Sequence, residues 1–271
     1  MLSKLLKYEL KSTARWFLPL YIALIILTFL NKLTITINLP DFILFNILKV
    51  LLMVFYVLII IFTSIATMIL LVIRFYKNLY TDEGYLTHTL PVKPGTHLNC
   101  KILSGCIWTV SSLFMQIISL SILFMGEGLF SDVTDVFAEI IEYLKSANLF
   151  DNAVVTLIIF AITLVISLFY NLLMMYCSIS MGSLFSQHKI IGAIVVYFII
   201  NFVIQLFSML LMLIGIKNPI IYEITTVENF SVDSFHIMNI IMISSCALTM
   251  IFNAVFYLLN HFVISKKINL D

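Results

Sequence analysis

Hydrophobic positions along this chain fall mostly in unbroken runs, with little of the alternation that marks a half-buried strand. Val50 to Ile73, Ile102 to Met125, Ala153 to Met181, Ile190 to Ile216 and Ile237 to Ile264 each pass without an Asp, Glu, Lys or Arg. A helix rises about 1.5 Å per residue and the hydrocarbon core of a bilayer is about 30 Å thick, so roughly 20 such residues suffice to cross it. A shorter run after Arg15, Trp16 to Leu30, reaches that length by continuing through the "TITI" that follows. The pattern predicts an all-α polytopic membrane protein with six transmembrane helices, at about 16–37, 48–73, 102–125, 153–181, 190–214 and 237–264.

Three polar pieces interrupt the runs. In residues 1–15, "MLSKLLKYELKSTAR", Leu2, Leu5, Leu6 and Leu10 gather near one helical face, and Lys4, Lys7 and Lys11 take the other. This predicts an N-terminal amphipathic interfacial helix, with Lys4, Lys7, Lys11 and Arg15 among the headgroups; topology signalling is a second use for the same bases. Between the third and fourth spans, Val133, Val136, Phe137, Ile140, Ile141 and Leu144 recur at helical spacing opposite Asp132, Asp135, Glu139 and Glu142. We expect this 126–152 segment to form an amphipathic helix capped by Ser131, acting as a packed lid in preference to a substrate-contacting gate. The third piece, "YTDEGYLTHTLPVKPGTHLNCK", lies within the 74–101 loop between spans two and three. Thr81 suits an N-cap, Asp82 and Glu83 a first turn, and Tyr85, Leu86 and Leu90 supply apolar anchors before Pro91 stops the helix. Pro94 is expected to extend the connection, with Thr96 capping the next helix, which runs into span three through Lys101.

Composition agrees with lipid as the main solvent. Of 271 residues 62% are hydrophobic and 11% charged, where soluble domains carry roughly 25% charged residues. The mean hydropathy is +1.12. A formal net charge of +1 supplies no basic footprint for nucleic acid. Basic residues are retained on the cytoplasmic side. With the N-terminus inside, 11 of the 15 Lys and Arg fall on inner segments, the exceptions being Lys32, Lys49, Lys145 and Lys217. Both termini are therefore expected in the cytoplasm and the acidic 126–152 segment outside. The basic start and "FLPLYIALIILTFL" also suit a signal peptide, but no small-residue cleavage site follows, so a retained span is the expectation.

Chemistry-bearing patterns are sparse. HExxH, GxSxG and GxxxxGK[ST] do not occur. His88 and His97 share a loop with Asp82 and Glu83 without a ligand spacing, His236 and His261 sit at span ends, and Cys106, Cys177 and Cys246 read as packing residues. No metal or other cofactor is expected. The spans lack the central carboxylate that a proton- or sodium-coupled transporter normally uses. Their polarity is neutral, and interhelical hydrogen bonding is its first reading. A polar path along Gln116, Asn171, Asn201 and Gln205 is the alternative.

The N-terminal "KLLKYELKSTARWFLPLY", the six spans and above all "RFYKNLYTDEGYLTHTLPVKPGTHLNCKIL" make the chain similar, over essentially its whole length, to the membrane subunits of ATP-binding-cassette (ABC) transporters of the type-2 export class. The likeness is strongest to the permeases of low-GC Gram-positive bacteria. In that family an acid followed by glycine opens a cytoplasmic coupling helix that docks on a separate ATPase. The resemblance assigns those roles to Glu83 and Gly84, the end of the coupling element to Leu90 and Pro91, and the lysine at the start of the third span to Lys101. The glycine here follows the acid directly, closer than in many relatives. The first 15 residues correspond to the family's elbow helix. The resemblance further implies the bacterial cytoplasmic membrane, a partner ATPase that carries out hydrolysis, a second permease copy, identical or paralogous, and no catalysis by this chain. An ATPase-independent membrane protein, such as an immunity factor, and a secondary transporter are the competing classes.

Overall fold

A computed structural model describes residues 2–36, 43–89, 92–125, 129–185, 188–216 and 232–266. Among the described residues eight helices follow in order: α1 (Leu2–Thr36), α2 (Ile43–Tyr80), α3 (Asp82–Thr89), α4 (Pro94–Phe124), α5 (Leu129–Ser146), α6 (Phe150–Gly182), α7 (Lys189–Ile216) and α8 (Val232–Lys266). No strand occurs among the described residues. All but α3 and α5 are long and apolar enough to cross a membrane, so the chain is a multi-pass membrane protein. Helix is the form such runs must take in lipid, because each backbone N–H and C=O has to find its partner within the segment.

The helices overrun the apolar windows. α1 has 35 residues and α2 has 38, which is roughly 50–57 Å of helix against a hydrocarbon core of about 30 Å. Bilayer thickness limits the apolar window and leaves the backbone free to continue beyond it. The expected break between an elbow and the first span is accordingly missing, and α1 runs through Arg15 and Trp16 without interruption, with Pro19 inside it. The Ser131 cap is also corrected: α5 begins at Leu129 and carries Ser131 within it.

The chain divides into two compact units, one of residues 1–78 and 90–135, the other of 79–89 and 136–271. In the first, α1 packs against α4 with the Phe17 and Trp108 rings stacked 4.4 Å apart. The Trp108 Nε1–H donates to Thr13 Oγ1 at 2.7 Å, giving the buried indole the polar partner it needs. In the second, α6 packs against α7 and α8. Gly182 closes the α6–α7 hairpin, where a Cβ would fall 2.3 Å from the backbone nitrogen of Ala193. Only glycine lets the two backbones approach that closely.

Candidate functional site

Residues 79–101 carry the strongest functional expectation, and the structure builds them from both ends. At the near end, Leu79 and Tyr80 close α2 with their side chains buried. Tyr80 donates its hydroxyl to Ser180 Oγ at 2.8 Å, and Ser180 donates to Asn260 Oδ1 at 2.7 Å. The Asn260 amide then donates to the Phe256 carbonyl at 2.9 Å and to that of Leu173 at 3.3 Å. This chain joins the start of the loop to α6 and α8. Every member is satisfied, the condition under which a buried polar network adds rigidity.

Helix α3 follows at once. Thr81 precedes it, as an N-cap would, and its carbonyl accepts the Gly84 N–H at 2.6 Å. Glu83 and Tyr85 are exposed on either side of a buried Gly84. Asp82 and Leu86 lie within the helix, which ends at Thr89; Leu90 and Pro91 fall outside the described residues. At the far end α4 begins at Pro94, with Lys93 as its extended N-cap residue (φ −63°, ψ 141°). Proline at the first helical position has its φ preset and no N–H to leave unpaired, so it opens the helix, and Thr96, whose N–H bonds to the Lys93 carbonyl at 2.9 Å, is inside and not a cap.

Lys101 lies on α4, the helix that carries the third span. It is 6% exposed and its ammonium lies 2.7 Å from Glu9 Oε1. The same oxygen accepts from Arg74 Nε at 2.8 Å. One carboxylate on α1 thus holds a cation from α2 and another from α4. An ammonium removed from water needs such a partner. Lys4, Lys7, Lys11 and Arg15 are all exposed, while Glu9 and Thr13 turn inward between them.

A line of bonded polar groups continues along α4. Ser112 pairs with Tyr21 (3.0 Å) and Thr67 (2.6 Å), and Ser119 with Thr28 (2.6 Å) and Tyr56 (2.8 Å). Between them the Gln116 amide donates to Thr63 Oγ1 at 3.0 Å and Ser64 Oγ at 2.8 Å. Gln116 is therefore a cross-link between α4 and α2 within the first unit. Its three proposed companions belong to the second unit. There Asn171 and Asn201 each donate to a carbonyl one turn back in their own helix, and Gln205 is exposed on α7. Gln116→Leu should lower stability by about 1 kcal/mol, since interhelical bonds of this kind average about 0.6 each. Thermal unfolding in detergent checks it; unchanged stability with altered transport would favour the path reading.

Sequence reasoning missed Glu9, Tyr80, Ser180 and Asn260. Asn260 offered a signal, being a fully buried amide near the end of an apolar run, where an amide needs partners. The chain matches no protein-family model, no curated protein and no solved structure.

Proposed function

We propose that the chain is the membrane-spanning permease subunit of an ATP-driven ABC transporter, working as an exporter in the bacterial cytoplasmic membrane with both termini in the cytoplasm. A separate ATPase hydrolyses the nucleotide, and a second permease copy, identical or paralogous, completes the assembly. The observation that carries the reading is α3: a two-turn helix with Glu83 and Tyr85 exposed, preceded at once by the buried Tyr80–Ser180–Asn260 chain. A short helix transmits force only if its base does not yield. Closure of two ATPase subunits on ATP would push on α3 in each permease copy and switch the bundles between inward- and outward-facing arrangements. For this the ATPase must bind α3 with different affinity in the two arrangements, since equal affinity shifts no equilibrium.

The resemblance across residues 74–101 supplies the docking mode and the export direction, and the exposed acid and aromatic ring supply the contact. Mutation of Glu83 with co-purification of the cognate ATPase as readout tests the proposal. Loss of association without loss of membrane insertion is expected, and full retention would overturn it.

A further inference from the structure

Helix α5 is exposed from Asp132 through Tyr143, on its apolar side as well as its acidic one. Phe137 is 61% and Ile140 48% accessible, so the expected packed lid is absent. At helical spacing Val136, Phe137, Ile140 and Ile141 form one face, and Asp135, Glu139 and Glu142 lie opposite. An apolar face of this kind left in water is unfavourable.

The join to α6 says where that face is held. Asn148 adopts φ 55°, a left-handed conformation that asparagine tolerates better than most residues. Around it the Leu149 N–H bonds to the Leu144 carbonyl at 2.8 Å and the Asn148 N–H to that of Lys145 at 3.1 Å, the two bonds of a Schellman helix stop. Leu149 is buried, and the Lys145 ammonium lies 5.4 Å from the centre of the Phe150 ring. Only residues 147–149 separate α5 from α6, a reach of about 10 Å. The end of α5 is thereby fixed where α6 enters the membrane.

We infer that α5 is an interfacial helix whose Val136, Phe137, Ile140 and Ile141 side chains insert into the lipid surface of the membrane face at which α6 begins. Polarity sets its rotation: the Asp135, Glu139 and Glu142 carboxylates stay in water and the apolar side faces the acyl chains. The inference stands whether or not an ATPase partner exists.

Spin labels on Phe137→Cys, Ile140→Cys and Glu139→Cys, in the full chain reconstituted into phosphatidylethanolamine–phosphatidylglycerol vesicles, test it by collision with oxygen, which concentrates in lipid, and with a nickel chelate, which stays in water. The parent chain with its native thiols serves as background. Labels at 137 and 140 are expected to favour oxygen, at roughly 5–10 Å below the headgroup boundary, and the label at 139 to favour the chelate. Chelate access at 137 and 140 equal to that at 139 would mean that the face is in water. Shielding of 137 and 140 from both reagents would mean that protein covers it, from this bundle or a second copy. Either result overturns the inference.

Discussion

Glu83→Lys is expected to abolish co-purification of the chain with the proposed ATPase partner while leaving membrane insertion unchanged. Glu83 is exposed in the first turn of α3. In the proposed complex the same carboxylate becomes desolvated against the ATPase. Mutations that leave a charge buried and unmatched at an interface cost about 2–5 kcal/mol, a loss of roughly 30-fold or more in affinity. A charge reversal belongs at or above the upper end. Glu142→Lys, an equivalent reversal on α5, should leave the association intact. Association that survives Glu83→Lys would remove α3 from the interface and the central support from the permease reading.

Removal of the Glu9 carboxylate should be the most damaging single change to the fold of the first unit. An exposed ion pair contributes about 0–1 kcal/mol, whereas breaking a buried one costs about 3–5 kcal/mol because a charge is left without a counterion. The side chains of Lys101 and Glu9 are 8% and 11% accessible, which puts this pair in the second regime. Glu9→Ala is therefore expected to cost about 3–5 kcal/mol by thermal unfolding in detergent. Adding Lys101→Met, which keeps the length of the side chain and removes the stranded ammonium, should recover a large part. A cost below about 1 kcal/mol, or no recovery in the double variant, would show that solvent or headgroups already satisfy Lys101.

Glu9 also marks where reading the sequence stops. The six spans were legible because lipid imposes a length criterion that a single pass along the chain can apply. α3 was legible from Thr81 in front and the prolines behind, and α5 from the recurrence of Val133, Val136, Phe137 and Ile140. These signals are local. The bonds of Glu9 to Arg74 and Lys101 span 65 and 92 positions, and in the N-terminal pattern Glu9 is one more polar residue among lysines. The same holds for Tyr80, Ser180 and Asn260, which meet only after α6 and α8 have packed. Gln116 was read correctly as polar and within a span; its bonds to Thr63 and Ser64, which join α4 to α2, appear only once the helices have packed. The false break before Trp16 came from equating the end of a basic segment with the end of a helix. Nothing at that point interrupts helical hydrogen bonding, and Pro19 just beyond is of a kind that spanning helices accommodate. The cap misassigned to Thr96 came from reading Pro94 as an interruption, although proline also starts helices.

The central claim is that α3 faces the compartment where ATP is. Tyr85, half exposed on α3, is the position to ask. Tyr85→Cys should react with a membrane-impermeant maleimide in inverted vesicles and stay unlabelled in right-side-out vesicles until detergent is added. Labelling in intact right-side-out vesicles would put α3 on the far side of the membrane from any ATPase and contradict the account.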